Sequence, residues 1–248
     1  MLTLSLARSL PLVWLVPALG GPTIGVPLRL AFGVFLAGLC LPILSDQLHA
    51  ESALSLVVVA REMFVGGAMG LACACWFRAA EVAGRLTDTL SGYNTAGGAL
   101  PTDGSKNGPF GGFMLLLAVV IFLQIGGMAH VTLALARSYD AIPVVAPVAM
   151  ASTARAFAVA TVVASAKLFE ASLSLCAPVL VALLIADLVL GFIGRAVPQL
   201  PVFGLGFPVK ALLTIGVFLV GLGGLRAAMQ GSLVDFLTLM LSVTDVGR

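Results

Sequence analysis

Charge is scarce in this sequence. Only 10% of its 248 residues are Asp, Glu, Lys or Arg, while 60% are apolar; a soluble domain carries roughly a quarter charged and about half apolar residues. One water-soluble core of this length could not hide so much apolar surface, so lipid or other subunits must cover the bulk of the chain. The formal net charge of +2 supplies neither a basic field for nucleic acid nor an acidic tail, and no nucleic-acid partner is expected. Histidine is almost missing: His49 and His130 stand far apart, without metal-ligand spacing. Gly-x-Ser-x-Gly, Walker and dinucleotide fingerprints are absent too, and Gly104-Ser105-Lys106 ends like a phosphate loop but lacks the upstream glycine. The residues therefore point away from an enzyme and imply no catalytic, metal or cofactor site. Cysteines are few, and Cys40, Cys73, Cys75 and Cys176 all lie in apolar runs, where a thiol behaves as a small hydrophobe. Cys73 and Cys75, two apart on a helix, point to nearly opposite sides, so reduced, buried thiols are expected and no disulfide framework.

What the chain does have is apolar helix-length segments, at 2–19, 28–44, 54–77, 113–136, 156–192 and 207–225. They predict an all-α, membrane-associated bundle of kinked helical hairpins, with about six to eight helices and no sheet. The whole of 1–248 is expected to form one domain. Only 113–136 reads as a clean, charge-free, proline-free span of the roughly 20 residues a bilayer requires. Elsewhere Pro11 and Pro17 are expected to break the first segment, Arg61 and Glu62 interrupt the third, Lys167, Glu170, Pro178 and Asp187 punctuate the fifth, and Lys210 enters the sixth. Arg8 ahead of the first apolar run has the flank of a signal peptide, but the repeated apolar segments downstream favour a retained helix. Six spans would put Arg8, Arg137, Arg155, Arg226 and Arg248 on one side, and Arg29, Arg78, Arg85, Lys106, Arg195 and Lys210 on the other. That near tie under the positive-inside rule fits helices surrounded by subunits better than an ordinary permease.

After Phe77 the pattern changes. Arg78, Glu81, Arg85 and Asp88 fall on one stripe, with Ala79, Val82, Ala83, Leu86 and Leu90 on another, which predicts an amphipathic extension of the third apolar helix. A central loop follows at 92–112, with seven glycines and two prolines; loops of this length in compact proteins are usually functional or disordered.

Ionisable residues in apolar helices are costly against lipid and so face protein or water. Lys167 and Glu170, three apart, predict an ion pair that fixes helix register, in preference to a conducting site. Glu62 and Asp187 have no partner in their own helices, since Arg61 is expected to point away from Glu62; their partners should lie on another helix or subunit. Asp187 in a proton relay is the weaker alternative. Gly66 and Gly70 have the spacing that lets helices approach closely, and Gly33 and Ala37 add to it. Arg195 ends the fifth apolar helix ahead of Pro198 and Pro201, and Gly204, Gly206 and Pro208 then allow a tight reversal before the last helix. An ordinary hairpin turn would read the same way.

In order along nearly the whole chain, these residues resemble the FliR/SctT family, the flagellar biosynthetic R subunit and its type III secretion counterpart. Pro17, Gly20, Pro27, Arg29 and Pro42 resemble its N-terminal pattern; Glu62-x-x-x-Gly66-x-x-x-Gly70 its third-helix motif; Ala83-Gly84-x-Leu86-x-Asp88 the entry to its central loop. Gly126-Gly127, Ser138-Tyr139 with Pro143, and Ala177-Pro178 continue the likeness, and Arg195-x-x-Pro198-Gln199 with Phe203 and Lys210 resembles its signature turn. Pro201 stands where the family has asparagine, and Leu100-Pro101-Thr102-Asp103 replaces its Asp-Pro. Gly126-Gly127 and Ser138-Tyr139 look more like the secretion branch and tilt the reading that way, although Gly206-Phe207-Pro208-Val209-Lys210 looks more like the flagellar one.

The resemblance implies a single-copy subunit of a hetero-oligomeric export gate in the bacterial inner membrane, a multi-pass membrane protein through which unfolded secreted proteins pass. Its implied partners are P/R-type and Q/S-type gate subunits, an export switch protein and membrane lipid. It implies a pore plug in the central loop, with Tyr93, Asn94, Pro101, Asp103, Lys106 and Phe110, and subunit packing around Glu62, Gly66, Gly70, Lys167, Glu170 and Asp187. A small-solute membrane transporter and a purely structural membrane subunit are the competing readings; a transporter usually carries inverted repeats, and none is visible.

Overall fold

The computed structural model describes residues 2–20, 25–47, 56–93, 108–142, 150–197 and 202–245. Among the described residues there are eight helices and no strand: α1 (Leu2–Leu15), α2 (Pro17–Gly20), α3 (Val26–Gln47), α4 (Leu56–Ser91), α5 (Pro109–Gln124), α6 (Gly127–Ala141), α7 (Met150–Ala196) and α8 (Val202–Asp245). The all-α reading therefore stands. Two compact units share these helices: the first holds Met1–Phe77, Phe122–Leu168 and Ser232–Arg248, the second Arg78–Ile121 and Phe169–Gly231.

Several expected breaks do not occur. Pro11 and Pro178 lie inside α1 and α7, just as Pro42 and Pro208 lie inside α3 and α8. A proline removes one donor, but in apolar surroundings the remaining backbone groups have no water to turn to, which favours continuing the helix around it. Pro17 instead opens α2, at the first helical position, where its missing N–H costs nothing. The break falls where charge and proline gave no sign of it. The segment 113–136 is split at Ile125 and Gly126, with Gly126 left-handed at φ 75°, so the clean span is a broken one. The last helix also starts earlier than expected, at Val202, so Gly204, Gly206 and Pro208 belong to α8 and not to the reversal.

In the first unit α1 and α3 run antiparallel. Ser5 Oγ donates to the Ala37 carbonyl at 2.9 Å, and one turn on, Ser9 Oγ donates to the Gly33 carbonyl at 3.1 Å. On the other side of α1 lies α4, whose Gly66 and Gly70 meet the backbone of Arg8 and Leu12. Buried Trp76, Phe77 and Phe122 stack edge to face, at 4.9 and 5.2 Å between ring centroids. Trp76 Nε1 donates to Ser232 Oγ at 3.0 Å, tying α4 to the end of α8.

In the second unit α4 continues without interruption as the expected amphipathic extension. Glu81 there accepts from Arg78 and Arg85, each at 2.6 Å. An α7–α8 hairpin is joined by the Asp187–Lys210 ion pair, and Phe218 of α8 stacks on Phe110 of α5 at 4.9 Å.

Among the described residues three helices, Leu56–Ser91, Phe157–Ala196 and Gly206–Met240, are long and apolar enough to cross a membrane, and the α5–α6 pair makes a fourth if counted as one broken span.

Candidate functional site

The first unit is organised around Arg8. Its side chain and that of Glu62 are both 0% exposed. Arg8 Nε donates to Glu62 Oε2 at 2.6 Å, Nη1 to Ser138 Oγ at 2.9 Å, and Nη2 to the Ile142 carbonyl at 3.1 Å. The guanidinium carbon also lies 4.2 Å from the centre of the Tyr139 ring. A cation wholly removed from water survives only when its donors and charge are answered in this way. Arg61 reaches the other carboxylate oxygen, Glu62 Oε1, at 3.1 Å. This corrects the expectation that Arg61 points away: adjacent residues diverge on a helix, but the long guanidinium arm bends back.

Geometry explains the Glu62, Gly66, Gly70 spacing. A Cβ on Gly66 would sit 2.0 Å from the Arg8 carbonyl oxygen, and one on Gly70 2.8 Å from the Leu12 Cα. The two glycines thus let α1 lie against α4 at backbone contact, and Glu62, one turn earlier, meets the one cation on that stretch of α1. Ser138 and Tyr139, noticed in the sequence only as a family pair, close the same cluster from α6.

In the second unit Asp88 clasps the start of α5. Its carboxylate accepts from the Phe110 N–H at 3.1 Å and the Gly111 N–H at 2.8 Å, answering two of the free donors at a helix N-terminus. Gly84, one turn before Asp88, makes room for this: a Cβ there would lie 2.3 Å from the Phe110 carbonyl oxygen. Tyr93 and Phe110, from opposite ends of the central loop, meet edge to face at 5.5 Å. The loop's base is therefore closed. Asn94, Pro101, Asp103 and Lys106 lie outside the described residues.

The structure does not pair Lys167 with Glu170. Lys167 Nζ is 3.5 Å from the Asp235 carbonyl, and Glu170 is exposed on the isolated chain. Three-residue spacing puts both on one face but does not oblige long side chains to meet. Asp187 does find its partner on another helix, Lys210. Arg195 is exposed in the last turn of α7; Pro198 and Gln199 lie outside the described residues, and Phe203 falls in the first turn of α8. Arg8, Ser138, Tyr139 and Asp88 are the residues that sequence reasoning left without a role. For Asp88 one signal was present: an acid one turn beyond a glycine, facing a second glycine-rich helix start. Arg8 gave none beyond a lone cation in an apolar segment.

No three or more His, Cys, Asp or Glu side chains converge among the described residues. Packing, charge burial and closure of a loop base are what this arrangement does. With three to four helices long and apolar enough to cross a membrane, the described residues define an all-helical, multi-pass membrane protein.

Comparison with known proteins gives the particular family. Residues 1–235 match the profile described as bacterial export proteins, family 1. The chain is 29% identical to the secretion system apparatus protein SsaT of Salmonella typhimurium over 225 residues, covering 88% of this chain and 85% of that protein. It is 28% identical to the flagellar biosynthetic protein FliR of Pectobacterium carotovorum over 216 residues, covering 87% and 80% respectively. FliR of Escherichia coli K12 is 25% identical over 215 residues, 86% of this chain and 80% of that relative. The chain belongs to the FliR/SctT family of bacterial export proteins and is a subunit of a flagellar or type III secretion export apparatus.

Proposed function

We propose that this chain is a non-enzymatic, single-copy subunit of the export gate in the bacterial inner membrane. There it joins P/R-type and Q/S-type subunits and an export switch protein in a channel for unfolded secreted proteins. The observation that carries this reading is the poor self-burial of α7 and α8: only 17% of the most apolar window of each is buried within the chain, in a chain whose family is export proteins over nearly its whole length. Large side chains on those helices stand in the open, among them Leu184, Leu188, Phe192, Leu212, Leu219 and Val220. Lipid or neighbouring subunits can cover such faces, and the Asp187–Lys210 pair between them, easier to keep beside protein than in acyl chains, favours subunits there.

In this reading all of 1–248 works as one export-gate domain, and the central loop 92–112 plugs the closed pore. Its base is fixed by Asp88 and by the Tyr93–Phe110 contact, while the glycines between permit rearrangement. Glu62, Gly66, Gly70, Lys167, Glu170 and Asp187 contribute to helix and subunit packing, Arg195, Pro198 and Gln199 to the connection between α7 and α8, and Phe203 and Lys210 to the start of α8 that packs on it.

Shortening the loop within 95–106, which spares the clasped base, tests the plug. Under this proposal the shortened gate leaks ions across the membrane or stops secretion. Secretion at the normal rate with a tight membrane would overturn the plug.

A further inference from the structure

We draw no further inference here: the strongest candidate, the apolar pocket between Phe110 and Phe113 at the start of α5 and Ile215, Phe218 and Leu222 of α8, belongs to the loop base already described, and nothing in the structure shows what fills it.

Discussion

Gly66 and Arg8 touch through their backbones: a side-chain carbon on the glycine would stand 2.0 Å from the arginine's carbonyl oxygen. From that contact follow the placement of Glu62 on the Arg8 guanidinium and the docking of α1 on α4.

Gly66→Ala is therefore expected to destabilise the purified chain, by about 3 kcal/mol, the upper part of the range for overpacking, because backbone cannot step aside as a side chain can. Gly216→Ala is the control. Apart from its own helix backbone, nothing among the described residues lies within 4 Å of a Cβ there, and the better helix propensity of alanine should leave stability unchanged or raise it by up to about 1 kcal/mol. Thermal unfolding in detergent compares the two; equal effects would remove the close-approach argument.

Breaking the buried pair should cost more than removing it. Glu62→Ala strands Arg8 and is expected to cost about 3–5 kcal/mol. Arg8→Met combined with Glu62→Ala should cost less than Glu62→Ala alone. A double-mutant cycle read by unfolding checks this, and strict additivity would mean the two charges do not depend on each other.

Asp88→Ala should free the first amides of α5. The expected loss is about 1 kcal/mol, that of a helix cap, and hydrogen exchange at Phe110 and Gly111 should accelerate while α6 stays protected. Asp88→Asn, which keeps an acceptor, should behave closer to the unaltered chain. Unchanged exchange at both amides in Asp88→Ala would contradict the clasp.

For the α7–α8 hairpin the expected coupling is small in the isolated chain. Asp187 is 50% exposed at its side chain, so a cycle with Lys210 should give about 0–1 kcal/mol. Lys167→Ala and Glu170→Ala should simply add, because they do not meet. Coupling of about 2 kcal/mol between Lys167 and Glu170 would restore the ion pair that their spacing suggests.

Much of the fold was legible because apolar runs and glycine spacing are local signals. The helical class, the extension from Arg78 to Asp88 and the close-packing role of Gly66 and Gly70 all follow from residues within a few turns of one another. What escaped was long-range. Arg8 and Glu62 are 54 positions apart, and no periodicity in either helix names the other. The break at Gly126 escaped because a glycine pair inside an apolar run carries no charge or proline to mark it. Pro178 misled in the opposite sense, since the rule that proline ends a helix is calibrated on helices with water available to the freed carbonyl. Lys167 and Glu170 share a face, but spacing fixes faces and not side-chain reach.

The mass of the complex purified through this chain from the membrane tests the central claim most directly. A hetero-oligomer containing one copy of the chain together with several copies of other export-apparatus subunits is the expected result. A stable, solitary, fully lipid-embedded monomer, or a single chain that moves a small solute unaided in liposomes, would contradict it.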